Sequence, residues 1–76
     1  MNKRIEINPA ICHGQPVIRG TRVTVSQILG SLSGGDTVAM ILEDYPGITV
    51  EDISAAMSFA SELARFEEVP YEASFA

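Results

Sequence analysis

The sequence predicts a mainly α-helical single domain: a bundle of three short helices preceded by a short N-terminal strand and a β-hairpin. Three observations carry that expectation. Apolar residues recur at i, i+3, i+4 and i+7 between residues 25 and 66, a Thr or Asp stands at the head of each stripe, and Gly-Gly or Pro-Gly separates the stripes. With 76 residues there is room for one small domain and no second. The domain is expected over 1–67, with the hairpin region in 1–25, the helices in 25–66 and a tail at 68–76.

The elements follow in order. Residues 3–7 alternate polar and apolar as a short strand does, and Asn8-Pro9 should end it. Val17-Ile18 and Val23-Thr24-Val25 flank Arg19-Gly20-Thr21-Arg22, which reads as a hairpin whose turn uses Gly20 for a positive φ. Thr24 and Gln27 form a capping box, with Val23 and Ile28 as its hydrophobic staple, ahead of the stripe Val25, Ile28, Leu29, Leu32. Gly34-Gly35 stops this first helix. Asp36 or Thr37 caps the second, whose stripe is Val38, Ile41, Leu42 and Tyr45 before the break at Pro46-Gly47.

Thr49 caps the third and longest helix, expected over about 50–66, with Asp52 three residues on and an Ile48/Ile53 staple. It carries two stripes: Val50, Ile53, Met57, Ala60 and Ala64, and beside them Ala56, Phe59, Leu63 and Phe66. One stripe suffices for packing on two short helices, so the second is assigned to an interface, together with Tyr71 and Phe75 of the tail. Residues after Glu67 show no period and contain Pro70, which reads as an extended tail. The connection Tyr45-Pro46-Gly47-Ile48 has helix-turn-helix spacing, a spacing that any two crossed helices with a short link also show.

Composition narrows the function. A mean hydropathy of +0.18 in so short a chain exceeds what a thin core hides, which points to a homodimer or another buried interface. No apolar run approaches a membrane span and no signal-peptide core follows Met1, so the chain reads as cytoplasmic and without a membrane role. The single cysteine, Cys12, rules out an internal disulfide framework. Charge is divided: residues 1–22 hold Lys3, Arg4, Arg19 and Arg22 against Glu6, a net of +3, while residues 23–76 carry −8. A cationic N-terminal lobe on an acidic body points to a negatively charged partner for that lobe.

No catalytic site assembles. Cys12 and His13 are neighbours on a segment read as extended, so their side chains diverge, and they supply two of the four ligands that zinc needs. Cys12 is read as a small packed hydrophobe and His13 as hydrogen-bonded to its loop. The carboxylates Glu43, Asp44, Glu51, Asp52, Glu62, Glu67 and Glu68 read as a solvated face. Phosphate-loop, dinucleotide and nucleophile-elbow motifs are absent from the sequence. The expectation is a non-enzyme with no cofactor and no metal. The third helix offers Glu51, Asp52, Ser54 and Ser58 where a DNA-reading helix offers Arg, Lys, Asn or Gln, so it reads as a scaffold.

The run I-x-I-N-P-x-I-C-H-G-x-P-V-I-R-G-T-R-V-x-V at Ile5–Val25 carries a resemblance, with I-L-E-D-Y-P at Ile41–Pro46 and T-x-E-D-I at Thr49–Ile53. Together they resemble a bacterial and archaeal family catalogued as domain of unknown function 433. Gln15 and Val17 replace the Lys and Cys frequent in that family, and Asp36-Thr37 departs from its usual hydrophobic residue and cap Ser. The resemblance implies a homeodomain-like three-helix fold behind a β-hairpin, usually dimeric. It also implies an antitoxin of a type II toxin–antitoxin pair, encoded beside a PIN-like ribonuclease toxin; autoregulation of its operon is a further expectation, from the basic hairpin. His13, Gly14, Pro16, Arg19, Gly20, Thr21 and Arg22 match its signature.

The expected partner- or nucleic-acid-binding residues are therefore Lys3, Arg4, His13, Arg19, Thr21 and Arg22. Phe59, Leu63, Phe66, Tyr71 and Phe75 are expected at a dimer or partner interface. The alternative to the antitoxin is a DNA-binding helix-turn-helix regulator that uses the basic hairpin.

Overall fold

The computed structural model describes residues 2–65. Two short strands, β1 (Ile5–Glu6) and β2 (Val17–Ile18), pair antiparallel with Ile5 opposite Ile18 and Glu6 opposite Val17. Three helices follow: α1 (Val25–Ser33), α2 (Val38–Asp44) and α3 (Val50–Leu63). The mainly helical architecture expected from the sequence, with its N-terminal strand pair, is the one observed.

Each helix begins at a threonine that bonds the amide three residues on. Thr24 Oγ1 accepts from Gln27 N at 3.0 Å, Thr37 Oγ1 from Met40 N at 3.2 Å and Thr49 Oγ1 from Asp52 N at 3.2 Å. The boxes close reciprocally through Gln27 Oε1, Met40 Sδ and Asp52 Oδ2 onto the cap amides. Of the two candidates for the second cap, Thr37 takes the role. Its closure by a thioether at 3.5 Å is the weakest of the three, because sulfur is a poor acceptor. Each such cap contributes about 1 kcal/mol to a helix of this length.

The strand region differs in detail from the expected hairpin. The turn at 19–22 forms, with Thr21 N donating to Ile18 O and Ile18 N to Val23 O, both at 2.9 Å. Only one bridge, Val17 to Thr24, continues it, because Thr24 is already the helix cap and Val25 enters α1. The other edge of β2 is free to pair with β1, so the ladder closes a loop of residues 7–16.

Ile5 and Ile18 bring one face of the strand pair onto a core of Val25, Ile28, Ile41, Ile48, Ile53, Ala55, Ala56 and Phe59. Leu29, Leu32, Leu42 and Tyr45 flank it, half-buried. Three readings of the stripes are corrected. Val38 heads its stripe but stands exposed at the start of α2. α3 ends at Leu63 rather than 66, with Ala64 as its C-cap. Its buried face draws Ile53 from the first stripe and Ala56 and Phe59 from the second, while Val50 and Met57 of the first are exposed. The buried face therefore runs between the two stripes, and Leu63 of the second is left exposed.

Candidate functional site

The signature residues lie on two loops that meet. In the first, Asn8 folds the chain back: its carbonyl accepts from Ile11 N at 2.8 Å and its side chain from Ala10 N at 2.9 Å. Cys12, His13 and Gly14 then take φ values of 49°, 58° and 82°. Such left-handed backbone costs a non-glycine residue roughly 1–2 kcal/mol, so Cys12 and His13 are both strained. The turn is held by Gly14 N on Ile11 O and Gln15 N on Cys12 O. The extended reading of Cys12-His13 is therefore wrong: Asn8-Pro9, three to four positions before Cys12, not only ends the strand but reverses the chain.

In the second loop, Gly20 adopts φ 83° with open space around it, so the backbone conformation and not crowding selects glycine. Thr21 Oγ1 donates to Ile18 O at 2.8 Å and accepts from Val23 N at 3.0 Å. Cys12 Sγ donates to Arg22 O at 3.6 Å and fastens the first loop to the second. Cys12 thus uses its polar atom and is not merely a packed hydrophobe. Glu6, Ile11, Gly20, Thr21 and Arg22 line a shallow depression of about 370 Å³ between the loops.

The expected cationic lobe is divided by these contacts. Arg4 Nη1 donates to Asp52 Oδ1 at 3.0 Å, so its charge is met within the molecule. Asp52 is buried at 7% exposure, which corrects its assignment to a solvated face. The Arg19 guanidinium donates to Lys3 O at 2.8 Å and Ile5 O at 3.4 Å, and clasps β1 from outside. Thr21 is spent within its own turn. Lys3, His13 and Arg22 are exposed, and their side chains make no hydrogen bond or ion pair among the described residues. His13 therefore does not bond its loop as expected.

The expected interface divides too. Phe59 is 8% exposed within the chain's own core, because its position on α3 faces the bundle axis. Leu63, one turn on, overhangs the end of the bundle and is 64% exposed. Phe66, Tyr71 and Phe75 lie outside the described residues. Pro16, Val25, Leu29, Phe59, Ala60 and Leu63 line an apolar groove of about 450 Å³ between α1 and α3. The helical stripes contain Val25, Leu29, Phe59, Ala60 and Leu63, but their meeting depends on how α1 packs against α3.

Among the described residues no group of three or more His, Cys, Asp or Glu is placed to hold a metal ion. No helix among them is long and apolar enough to cross a membrane.

A sequence profile described as "Protein of unknown function (DUF433)" matches residues 5–60, which takes in both loops, the strand pair and nearly all of the bundle. The chain belongs to the DUF433 family. A crystal structure of a DUF433 member from Anabaena variabilis ATCC 29413 superposes with a TM-score of 0.76 at 36% identity, covering 80% of this chain and 60% of that one. The chain is also 40% identical over 53 residues to "Uncharacterized protein y4eO" of Sinorhizobium fredii (strain NBRC 101917 / NGR234). That match takes in 70% of this chain and 24% of the relative, so this DUF433 chain spans about a quarter of the relative's length.

Proposed function

We propose that this DUF433 chain is a non-enzymatic binding module of the antitoxin kind, which docks on a PIN-like ribonuclease toxin and neutralises it. One observation carries the reading: Arg22, exposed and without a side-chain partner among the described residues, stands on a turn whose backbone is fixed by Gly20, Thr21 and Cys12. A guanidinium presented on a rigid turn loses little freedom when it pairs bidentately with a carboxylate. Ribonucleases of the PIN type hold their metal with clustered carboxylates, and a fork placed among these displaces metal or closes the path of the phosphate. Lys3 adds a second exposed cation, and His13 stands beside Cys12, whose thiol bonds the Arg22 carbonyl. Arg4 and Arg19 support the surface from behind, since their guanidinium groups are engaged internally.

The test is co-expression of the intact chain with the PIN-like ribonuclease of a neighbouring reading frame, read as growth rescue and co-purification. The wild-type chain is expected to rescue, Arg22→Glu to lose rescue while keeping its helical content, and Lys3→Glu to weaken it. Full rescue by Arg22→Glu would remove this turn from the mechanism. Failure of the wild-type chain to rescue, with salt-sensitive binding to its own promoter DNA, would replace the reading with that of a DNA-binding regulator.

A further inference from the structure

Glu6 is the one acid among residues 1–22, in a lobe that otherwise carries Lys3, Arg4, Arg19 and Arg22. Its backbone is held in the strand ladder opposite Val17, and because Ile5 beside it turns into the core, its side chain leaves by the other face. There Glu6 shares the depression of about 370 Å³ with Ile11, Gly20, Thr21 and Arg22. Arg4 has its own acid in Asp52. Glu6 and Arg22 have none: among the described residues neither side chain makes an ion pair or a hydrogen bond, with the other or with a third group. Two opposite charges are thus kept in one depression and left unspent.

We propose that this depression is a two-pole docking site, in which Arg22 takes an acidic side chain of a protein partner and Glu6 takes a basic side chain next to it. The site rests on the antitoxin reading and adds to it the charge pattern that the partner presents. A partner surface acidic throughout would bring carboxylates against Glu6, and like charges set against each other at an interface are costly enough to reject a partner. A surface with acid and base side by side satisfies both poles. Neither pole has to break an internal bond first. Both backbones are already fixed, Glu6 by its place in the ladder and Arg22 by the Cys12 thiol on its carbonyl and the Thr21 hydrogen bonds. Little freedom is therefore lost on docking. Ile11 adds apolar surface for the stems of the incoming side chains. Gly20, with nothing within 4 Å of where a Cβ would stand, leaves room for the partner's backbone.

Calorimetric titration of the full chain with the PIN-like ribonuclease of the neighbouring reading frame tests it. Glu6→Gln keeps the shape of the side chain and removes its charge, and its circular dichroism should be that of the wild type. It is expected to weaken binding about fivefold, and Glu6→Lys, which sets a like charge against the partner's base, by about tenfold or more. A purely acidic partner surface gives the opposite sign, because removal of Glu6 then relieves a repulsion. Binding by Glu6→Gln as tight as wild type or tighter would overturn the two-pole site. Loss of binding by Arg22→Glu in the same series would then leave the antitoxin reading standing, with a uniformly acidic partner surface. Binding kept by Arg22→Glu would overturn the site and that reading together, as would no binding by the wild-type chain.

Discussion

The Asp52 carboxylate accepts from the Arg4 guanidinium at 3.0 Å across 48 positions of sequence, and its second oxygen accepts from the Thr49 amide at 3.0 Å. One side chain therefore closes the cap of α3 and ties the N-terminal segment to it. The arrangement explains how a carboxylate at 7% exposure is tolerated: both oxygens have donors. It also turns one of the four cations expected at the docking surface into internal structure.

Asp52→Asn keeps an acceptor for Thr49 but removes the charge, and is expected to cost about 1 kcal/mol. Arg4→Ala should cost a similar amount. The Arg4 side chain is 49% exposed, so water screens the pair and holds their coupling to about 0.5–1 kcal/mol. Urea midpoints of the two single variants and the double variant measure this. A double variant that costs less than the sum of the two single ones is the expected result, and strictly additive costs would show that the pair does not couple.

Gly20 and Gly30 should respond to alanine with opposite signs. A Cβ at either meets nothing within 4 Å, so only the backbone decides. Gly20 sits at φ 83°, where alanine is strained by roughly 1–2 kcal/mol. Gly30 lies inside α1, where alanine gains about 0.5–1 kcal/mol over glycine. Thermal unfolding of Gly20→Ala and Gly30→Ala should bracket the wild type. Equal shifts in one direction would refute the assignment.

His13 separates stability from recognition. Its φ of 58° is tolerated by asparagine and resisted by β-branched residues. His13→Asn is expected to leave the unfolding midpoint within about 0.5 kcal/mol of wild type, whereas His13→Val should lose roughly 1–2 kcal/mol. If His13 contributes to docking, the asparagine variant weakens partner binding without weakening the fold. A valine variant as stable as wild type would mean that the turn relaxes easily and holds no strain.

Local signals in the sequence were enough for the helices and not for the surface they present. The three threonine caps, the two breaks and the Ile28, Ile41 and Ile53 anchors are short-range features, so they could be read directly. Three other features could not. Asp52 looks like any first-turn acid until Arg4 arrives from the far end of the chain. Arg19 looks like a free cation, yet its guanidinium reaches back onto the carbonyls of β1. Cys12 and His13 adopt a left-handed turn that hydrogen bonds from Ile11 and Ala10 to Asn8 set up, and no residue type in Cys12-His13 requires it as glycine would. Net charge by segment counts such groups as available, and only tertiary contacts reveal which are spent.

Phe59 and Leu63 occupy adjacent turns of one stripe and should behave as unlike residues. Phe59 reaches the axis of the bundle among Val25, Ile28 and Ala56, whereas Leu63 projects beyond it. Phe59→Ala opens a cavity worth about 3–5 kcal/mol. A domain of this size holds roughly 4–11 kcal/mol in total, so that loss takes most of its margin. Leu63→Ser removes a side chain that residues 2–65 leave in water, and its direct cost should stay within about 1 kcal/mol. Circular dichroism melts of the two variants distinguish them: early loss of helix in Phe59→Ala, and a midpoint near wild type in Leu63→Ser. A Leu63 cost as large as that of Phe59 would contradict its exposed position at the end of α3.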